Sequence, residues 1–591
     1  MRNINLRYVD ETYDDQGVLQ TYSVHYPDTF NFAYDVVDDI AANDPDRPAM
    51  VWCNPEGEEH TFTFADMRKW SDKTANFLEA QGIGAGDFVM VILRRHYQFW
   101  FTALALEKLG CVMVPATFML KEHDLEYRLN GASIKAVIAT DVGDIADIVD
   151  ATLAAYPCPT VERLILVNGA GGGLTPLDGT GNPVCDEPRG AALSGPAGIC
   201  AVPSRRSGWV DFNTGVREAP AAFERRATRA ADPMLMYFSS GTSGNPKMVL
   251  HNAGYAIGHL ITAKHWHNVR PDGIHFTIAD TGWGKAVWGK FYGQWLMEAC
   301  VFTYDFDRFH AAEILDLVKK YGITTLCCPP TMYRLMMQED FSAFDLSSLE
   351  YSTTAGEALN PDIFEFWKQQ TGLTIFEGFG QTETPLTIGN LTNTVPRPGS
   401  MGRPVPLYRT RILREDGTEC DVGETGEICI AMEGHPAGIM MEYYRDPGKT
   451  AEAIRDGWYH TGDTAWCDED GYFWYVGRND DVIKSSGYRI GPFEIESVLL
   501  EHPAVRECAV TGVPDPLRGK AVKATVVLAD GFDASDELTH ELQQWVKEQT
   551  APYKYPRIVD YVDELPRTVN GKIRRVAIRE SDAEKNIDGL V

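Results

Sequence analysis

In the stretch Asp87-Phe-Val-Met-Val-Ile-Leu93, the residues after the aspartate form an unbroken apolar run with the length of a buried β-strand, and the segments that follow decide the fold class. Residues 98–109 have the spacing of an amphipathic helix, and residues 111–115 form a second apolar run. The same alternation recurs at residues 136–139, 163–167 and 311–328. Alternating strands and helices predict an α/β fold of parallel sheets with helices around them. Such folds bind ligands at the carboxyl ends of their strands.

Two changes in composition divide the chain. Residues 168–205 contain a Gly-Ala-Gly-Gly-Gly run and several prolines, which predicts a long surface loop or insertion. After residues 478–481 helices and strands mix in a unit of about a hundred residues, the usual size of a domain. We therefore predict a large domain over residues 1–479 and a small α+β domain over residues 480–591. In the small domain we predict helices at 492–500 and 535–549 and strands at 505–513, 523–528 and 557–561.

The chain is strongly acidic: its 591 residues include 54 Lys and Arg against 84 Asp and Glu, a net charge of −30. This balance argues against nucleic acid as the main partner, because phosphate backbones need a basic surface. No apolar run reaches the ~18 residues of a membrane span, and the acidic N-terminus is unlike a signal or transit peptide. The 12 cysteines are scattered without a C-x-x-C pair, so we expect free thiols, a cytoplasmic location and no zinc site.

Residues 234–248 run from an apolar, strand-like segment into a loop rich in Gly, Ser and Thr. Glycines let backbone N–H groups approach phosphate oxygens, hydroxyls add donors, and a lysine adds positive charge. The loop is not a Walker A loop, because two residues separate its last glycine from the lysine. We predict a phosphate site followed by a helix, with a plain flexible turn as the alternative. The candidate residues are Ser239, Ser240, Gly241, Thr242, Ser243, Gly244 and Lys247.

Two further segments carry single candidate residues. Residues 375–384 pass from a short apolar entry into a glycine turn that ends in Thr382 and Glu383. Carboxylate oxygens suit Mg²⁺, which accompanies nucleoside triphosphates, although a glutamate on a loop is often simply solvated. Near the C-terminus, a tight turn at Gly571 presents Lys572 as a candidate residue. The alternative interpretation is that Lys572 is an ordinary surface lysine.

A third segment, residues 458–478, contains Asp463 before and Arg478 after an Asp-Gly pair at residues 470–471. The Asp463 carboxylate can accept both hydroxyl protons of a ribose, and Arg478 can donate to the same sugar. The Asp-Gly pair also predicts that the segment is a β-hairpin.

Together with residues 484–494, these segments occur in the order and spacing of the adenylate-forming acyl-CoA synthetases, which the chain resembles over roughly residues 30–580. Further stretches are similar to the medium-chain acyl-CoA synthetases of that superfamily. They are residues 280–285, 329–334, 355–361, 485–494 and 551–557. The resemblance implies the fold of that superfamily, in which a large domain of packed sheets carries a small mobile C-terminal domain.

The resemblance also implies an AMP-forming acyl-CoA synthetase that uses ATP, Mg²⁺ and CoA. A carboxylic acid would attack the α-phosphate of ATP, and CoA would then take the acyl group from the adenylate. Residues 239–247 would hold the β- and γ-phosphates, Glu383 would bind Mg²⁺, and Lys572 would bridge the acid and the α-phosphate. The nucleotide would further contact Glu377, Gly378, Phe379, Gln381, Thr382, Asp463 and Arg478.

Between the two steps, the small domain would rotate about Asp480. CoA would then contact Ser485, Ser486, Gly487, Arg489, Arg518, Lys547 and Tyr555. The acyl pocket would include Trp283, Gly284, Thr354, Ala355, Gly356 and Gly380. Their sizes indicate room for a medium-chain, branched or aromatic acid rather than acetate alone.

Other functions remain open at this point. A stand-alone adenylation enzyme would load a carrier-protein thiol instead of CoA, and a luciferase-type oxidation is a more distant alternative. A catalytically dead nucleotide-binding regulator is the alternative outside enzymes. We expect no membrane association, and a homo-oligomer is possible.

Overall fold

A computed structural model describes residues 3–169, 206–239, 246–485, 488–567 and 572–584, and the backbone of residues 193–194 and 200–201. The predicted insertion at 168–205 therefore lies almost wholly outside the described residues. The α/β class is confirmed: two large sheets, largely parallel, are flanked by helices, and the smaller sheets are antiparallel except for a mixed one near the C-terminus. Among the described residues, none of the helices combines the length and the hydropathy that crossing a bilayer requires.

The first sheet has eight strands and contains the run quoted above as the strand Phe88–Ile92. Its strands pair in parallel as far as Pro233–Ser239, and the last two pairings are antiparallel. In spatial order they are Val210–Asp211, Arg163–Val167, Ala136–Thr140, Phe88–Ile92, Val112–Pro115, Pro233–Ser239, Lys247–Asn252 and Glu442–Tyr443.

The second sheet has nine strands, with a parallel centre and antiparallel strands at both edges. One apolar cluster joins its inner face to that of the first sheet, and helices lie between them. In spatial order the strands are Arg403–Pro404, Ile388–Gly389, Ile375–Phe379, Tyr351–Ala355, Thr325–Cys327, Ile274–Thr277, Cys300–Tyr304, Pro48–Cys53 and Glu59–Thr63.

The third sheet is antiparallel, and its long hairpin pairs Trp458–Cys467 with Phe473–Arg478 around the predicted turn. Its other strands are Thr410–Leu413, Gly426–Ala431 and Ile454–Arg455. A separate hairpin, Val9–Tyr13 with Leu19–Val24, lies near the N-terminus.

The small C-terminal unit follows the prediction closely. The helix Pro492–Leu500 agrees in both bounds, and Ser535 caps the next helix, Asp536–Gln549, by accepting from the backbone N–H of Leu538. A last helix spans Arg575–Glu584. The strands are Ile483–Ser485, Tyr488–Ile490, Val505–Asp515, Gly519–Leu528 and Ile558–Tyr561.

The remaining helices surround the two large sheets or lie between them. The α-helices are Asp39–Asn43, Phe64–Ala80, Gln98–Leu109, Glu122–Gly131, Ile145–Ala155, Phe212–Glu218, Gly254–Ile261, Gly284–Lys290, Tyr292–Leu296, Ala311–Tyr321, Pro330–Met336, Pro361–Thr371 and Pro447–Ala453. Short 3₁₀ turns are Ile4–Arg7, Phe341–Ala343 and Pro552–Lys554, and π-turns are Ala33–Asp38 and Thr262–Trp266.

Two local predictions were wrong. The helix Gln98–Leu109 forms as predicted, but it is not amphipathic, because it packs between the two large sheets and every one of its residues is buried. The segment after the predicted phosphate loop is the strand Lys247–Asn252 rather than a helix, since it pairs with a strand on each side. The helix begins only at Gly254.

Burying the helix Gln98–Leu109 on all sides places a lysine in the core. The Nζ atom of Lys108 lies 2.9 Å from Asp38 and 2.6 Å from Asp72, and the lysine side chain is fully enclosed. A buried charge without a partner is very costly, whereas a paired one with hydrogen bonds is tolerated.

We predict that Lys108→Ala lowers the free energy of unfolding by about 3–5 kcal/mol, because it leaves the buried carboxylate of Asp72 and the partly buried one of Asp38 without their cation. Chemical denaturation followed by fluorescence measures this loss. The control is Lys319→Ala, which removes an ion pair with Asp345 whose side chains are half exposed. That change should cost less than about 1 kcal/mol, and equal losses in the two variants would contradict the prediction.

Candidate active site

The third sheet brings together the two residues predicted to hold a ribose. Asp463 and Arg478 stand opposite each other in the register of the long hairpin, and the Arg478 Nη1 atom lies 3.5 Å from a carboxylate oxygen of Asp463. Asp463 is buried. A buried carboxylate is stable only with partners. The register of the hairpin supplies such a partner, because it places Arg478 opposite Asp463.

Three further polar side chains surround Asp463, two of them tyrosines that sequence reasoning missed. Tyr475 donates its hydroxyl proton to the carboxylate at 3.0 Å, and the amide nitrogen of Gln381 donates to the other oxygen. The Tyr459 hydroxyl in turn donates to the Gln381 amide oxygen at 2.6 Å. Burial raises the pKa of the Asp463 carboxyl, while Arg478 and these donors act in the opposite direction.

Arg478 keeps hydrogen-bonding capacity for a ligand. Its Nε atom is buried and makes no hydrogen bond to any described residue. Burial opposes the charged guanidinium, but Asp463 and the other acidic groups around it raise the pKa of Arg478 above its usual value. Each hydroxyl of a sugar diol both donates and accepts hydrogen bonds, so a charged donor beside a charged acceptor suits it.

The predicted phosphate and magnesium residues are linked through a tyrosine. Lys247 lies 3.3 Å from the Tyr443 hydroxyl oxygen and 4.7 Å from the centre of its ring. The same hydroxyl donates to the Glu383 carboxylate at 2.8 Å. Tyr443 was not predicted, because it comes from a distant two-residue strand at the edge of the first sheet. Ser239 ends the strand before the loop.

Thr382 stands between the nucleotide residues and the predicted acyl pocket. Its backbone carbonyl accepts from the Nε2 atom of His251 at 2.8 Å. Burial lowers the pKa of His251 to about 3, so the imidazole is neutral and donates to the carbonyl. Gly284 faces the Thr382 side chain, 3.9 Å from where a Cβ atom on the glycine would lie.

Glu377, Gly378 and Phe379 end the parallel strand Ile375–Phe379 and so lie where this fold class binds ligands. One carboxyl oxygen of Glu377 accepts from the backbone N–H of Leu359, and the other has no partner among the described residues. Burial raises the pKa of this carboxyl to about 8, so it is protonated at neutral pH and can donate a hydrogen bond.

The C-terminal unit approaches the same place. Lys572 is exposed, and its charge is close enough to Asp463 to act on the titration of that carboxyl. The helix Pro492–Leu500 rests on the large domain, where Phe493 packs against the Tyr475 ring. Asp480 is exposed and lies 3.7 Å from Arg478.

The residues predicted to contact CoA divide into two groups. Lys547 lies over the ring of Tyr555, 4.1 Å from its centre, so these two are brought together. Arg518 pairs with Asp515 at the turn of a hairpin, at 3.0 Å, and Ser485 is buried. Seven predicted residues lie outside the described part of the chain, namely Ser240, Gly241, Thr242, Ser243, Gly244, Ser486 and Gly487, as does the side chain of Arg489.

Two tryptophans crowd one glycine of the predicted acyl pocket, Gly380, and one of the predicted nucleotide site, Gly378. A Cβ atom on Gly380 would lie 2.3 Å from the Trp288 ring, and one on Gly378 would lie 2.7 Å from Trp266. Gly356 faces open space, and the Trp283 indole N–H is buried without a partner among the described residues.

A lysine contacts one of the predicted pocket residues. Lys285, which sequence reasoning did not single out, donates to the Ala355 carbonyl at 2.8 Å. The Thr354 hydroxyl donates to the carbonyl of Cys328 and is buried.

With this geometry established, comparison with known proteins decides the family. The profile described as "AMP-binding enzyme" matches residues 37–444, and that of the "AMP-binding enzyme C-terminal domain" matches residues 494–572. The chain belongs to the family of AMP-binding enzymes. The predicted boundary between residues 479 and 480 lies between the two matches and stays a prediction.

The relatives of this family member are acyl-CoA synthetases. Human mitochondrial acyl-coenzyme A synthetase ACSM5 is 40% identical over 566 residues, covering 94% of this chain and 91% of the relative. The mitochondrial ACSM3 enzyme of Pongo abelii is 37% identical over 96% of the chain and 92% of the relative. The resemblance to medium-chain acyl-CoA synthetases is therefore confirmed.

Solved structures agree on the fold. The anthranilate CoA ligase AuaEII, in complex with anthranoyl-AMP, superposes with a TM-score of 0.80 at 25% identity, over 95% of this chain and 98% of that one. A Brucella canis acyl-CoA synthetase matches with a TM-score of 0.66 at 30% identity, over 95% and 96% of the two chains. The adenylate-forming fold is thus confirmed.

We predict that Asp463→Asn weakens AMP binding about ten- to a hundredfold, because hydrogen bonds to a charged group contribute about 1.5–3 kcal/mol and the amide loses the charge. Calorimetric titration with AMP measures the change. The matched control is Asp456→Asn, an exposed aspartate at a turn of the same sheet, which should bind AMP like the wild type. Equal affinities of the two variants would contradict the role of Asp463.

Proposed function

We propose that this protein is an AMP-forming acyl-CoA synthetase that activates a carboxylic acid with ATP and transfers it to CoA. The proposal rests on one observation: side chains of the large domain and the charge of the C-terminal unit both act on the carboxylate of Asp463. Asp463 is buried among donors in the large domain, and the charge of Lys572 reaches it from the C-terminal unit. A lysine in that position can stabilise charge that develops between a sugar-bound phosphate and an attacking acid.

In the first step, a carboxylate oxygen of the acid attacks the α-phosphorus of ATP, and the bond to the β-phosphate oxygen breaks. The products are an acyl-adenylate and pyrophosphate. Asp463 and Arg478 orient the ribose, and Lys247 neutralises the leaving phosphates. Glu383 is the carboxylate that would hold Mg²⁺, which when bound would neutralise further phosphate charge. Lys572 stabilises the reacting phosphate, where preorganised charge contributes most.

In the second step, the CoA sulfur attacks the acyl carbon, the bond to the AMP oxygen breaks, and the thiol proton is released. We propose that the small domain turns at Asp480, withdraws Lys572 and presents the CoA residues. Lys547 over the ring of Tyr555 offers a cation beside an aromatic surface, a pair that suits a phosphorylated nucleotide such as CoA.

We propose that the acid is medium-chain, branched or aromatic. At Gly284 the nearest atom to an added Cβ would be 3.9 Å away, on Thr382, and this room supports a side chain larger than that of acetate. Trp288 lies against Gly380 and limits the space there, which supports a medium-chain, branched or flat acid over a long chain. The name of the anthranilate CoA ligase among the structural neighbours agrees with an aromatic acid.

Two other functions compete with this proposal. A carrier-protein thiol could replace CoA as acceptor, and a regulator without activity would need no lysine at position 572. We further propose that the enzyme works in the cytoplasm, a reducing compartment, because every described cysteine side chain is a free thiol.

We predict pyrophosphate release that depends on the acid and rises with CoA, with AMP and an acyl thioester as products. The assay uses purified protein with ATP and Mg²⁺ against short, medium, branched and aromatic acids, with and without CoA. Release that ignores CoA would favour a carrier-protein acceptor. The absence of release with every acid would contradict the proposed function and favour the regulator.

We predict that Lys572→Ala slows adenylate formation about a hundred- to a thousandfold, since one preorganised donor contributes about 3–4 kcal/mol to the transition state. Thioester formation from a supplied acyl-adenylate should be nearly unchanged, because Lys572 acts in the first step alone. Separate assays of the two half-reactions measure both rates in one variant, so the second serves as the control for folding. An equal loss in both steps would contradict this assignment.

A further inference from the structure

Three metal-ligating side chains of different chemistry meet in the third sheet, outside the nucleotide site. Glu427 and Cys429 are two apart on the strand Gly426–Ala431, so they point to the same face. His460 lies directly opposite Cys429 in the neighbouring strand. One carboxylate oxygen, the sulfur and one imidazole nitrogen lie within 4.8 Å of one another.

This cluster is distinct from the ribose site although it shares a strand with it. Successive side chains alternate between the faces of a strand, so His460 points away from the face that carries Tyr459 and Thr461. Tyr459 belongs to the network around Asp463 through Gln381, whereas His460 contacts Glu427 and Cys429. The proposed synthetase reaction leaves the cluster without a role.

The contacts of His460 do not make a complete hydrogen-bond arrangement. Its Nδ1 atom lies 3.0 Å from a Glu427 oxygen, 3.4 Å from the Cys429 sulfur and 3.2 Å from an Arg455 nitrogen. A carboxylate requires a donor and a guanidinium requires an acceptor, but one imidazole nitrogen carries either a proton or a lone pair. One atom cannot satisfy both neighbours, whereas a cation bound to nitrogen, oxygen and sulfur together would satisfy all three ligands.

We propose that Glu427, Cys429 and His460 form a binding site for a thiophilic divalent cation of the Zn²⁺ class. Sulfur, imidazole and carboxylate together are a ligand set that zinc accepts, and water completes a tetrahedral site. The sequence-based expectation of no zinc site rested on the missing C-x-x-C pair. That spacing does not apply here, because the ligands come from two paired strands.

Solvent can reach the three ligands, and one positively charged side chain nearby competes with a cation for them. The side chains of Glu427 and His460 are 18% and 14% exposed, so an ion can enter from solvent, while Cys429 is buried beneath them. Arg455 is exposed and places positive charge beside the three ligands. Arg455 can turn outward into solvent and competes with a metal ion for the same negative groups.

The test uses cobalt(II) as a probe, because a cobalt–thiolate bond gives a charge-transfer absorption that reports on the sulfur ligand without any enzymatic assay. The full-length protein, first freed of metal with a chelator, is titrated with Co²⁺, and zinc is then added as a competitor. We expect one cobalt ion per chain with this absorption, and its loss as zinc displaces cobalt. A titration without the absorption would overturn the proposal.

Variants separate this site from other cysteines. Cys429→Ser should abolish the absorption, and His460→Gln should weaken zinc binding at least about tenfold, since even an outer partner of a metal site contributes that much. Arg455→Met should tighten binding by removing the competing charge. Cys420→Ser removes a free thiol from the connection between the strands Thr410–Leu413 and Gly426–Ala431 and should bind like the wild type.

The variants also give results that contradict the site. An unchanged absorption in Cys429→Ser, or an equal loss in Cys420→Ser, would overturn it. AMP titration and thermal unfolding show that each variant is folded. If Cys429→Ser is unstable, the other two variants decide the question. Zinc should then bind more tightly to Arg455→Met and more weakly to His460→Gln, and wild-type zinc affinity in both would overturn the proposal.

The site has a consequence for the nucleotide, which rests on the proposed function. The second oxygen of Glu427 accepts from the backbone N–H of Gly462 at 2.9 Å, directly before Asp463. A metal that draws the carboxylate away releases this backbone, so saturating zinc should weaken AMP binding several-fold in the wild type but not in Cys429→Ser. Equal weakening in both would place the effect of zinc elsewhere. If AMP does not bind at all, the nucleotide site fails while the cobalt absorption still tests the metal site.

Discussion

The candidate site depends on keeping one carboxylate charged inside the protein. Moving an isolated carboxylate out of water costs several kcal/mol, so Asp463 is tolerated in the core only because donors surround it. The hairpin of the third sheet supplies Tyr475 and Arg478 by its register, and the glycine turn after Ile375–Phe379 supplies Gln381. A ribose diol can replace some of these donors. The atoms that stabilise Asp463 in the core are therefore also the atoms that can bind a ribose.

The same constraint explains why two units are needed. Arg478 lies 3.5 Å from Asp463, longer than a typical hydrogen bond, and the charge of Lys572 adds to its effect from the C-terminal unit. A positive charge on a separately folded unit can be withdrawn without dismantling the buried network, because the tyrosines and Gln381 belong to the large domain. One site can therefore present a cation in one step and remove it in the next.

Sequence patterns predict local helices and strands well, but they do not show which distant residues pair. The helices Ala311–Tyr321 and Pro492–Leu500 and the strand Arg163–Val167 agree in both bounds with the predictions, because apolar periodicity and flanking turns are local signals. The strand Lys247–Asn252 was mistaken for a helix because its partners on both sides are set by tertiary structure. Tyr443, Tyr459 and Tyr475 were missed for the same reason: a buried tyrosine reads as core until its hydroxyl is seen to reach Glu383, Gln381 or Asp463.

The cluster of Glu427, Cys429 and His460 shows what a search for ligand spacing cannot detect. Local zinc motifs work because a short loop brings its own ligands together, and their spacing then appears in the sequence. In a paired sheet, residues i and i+2 of one strand and the residue opposite them on the next strand converge equally well. Cys429 and His460 face each other in this way although a long segment of the chain separates them. The backbone N–H of Gly462 makes this pairing matter for the nucleotide, since it fixes Glu427 on one side and leads directly to Asp463 on the other. A change on one face of the strand is therefore transmitted to the other face through a single peptide unit.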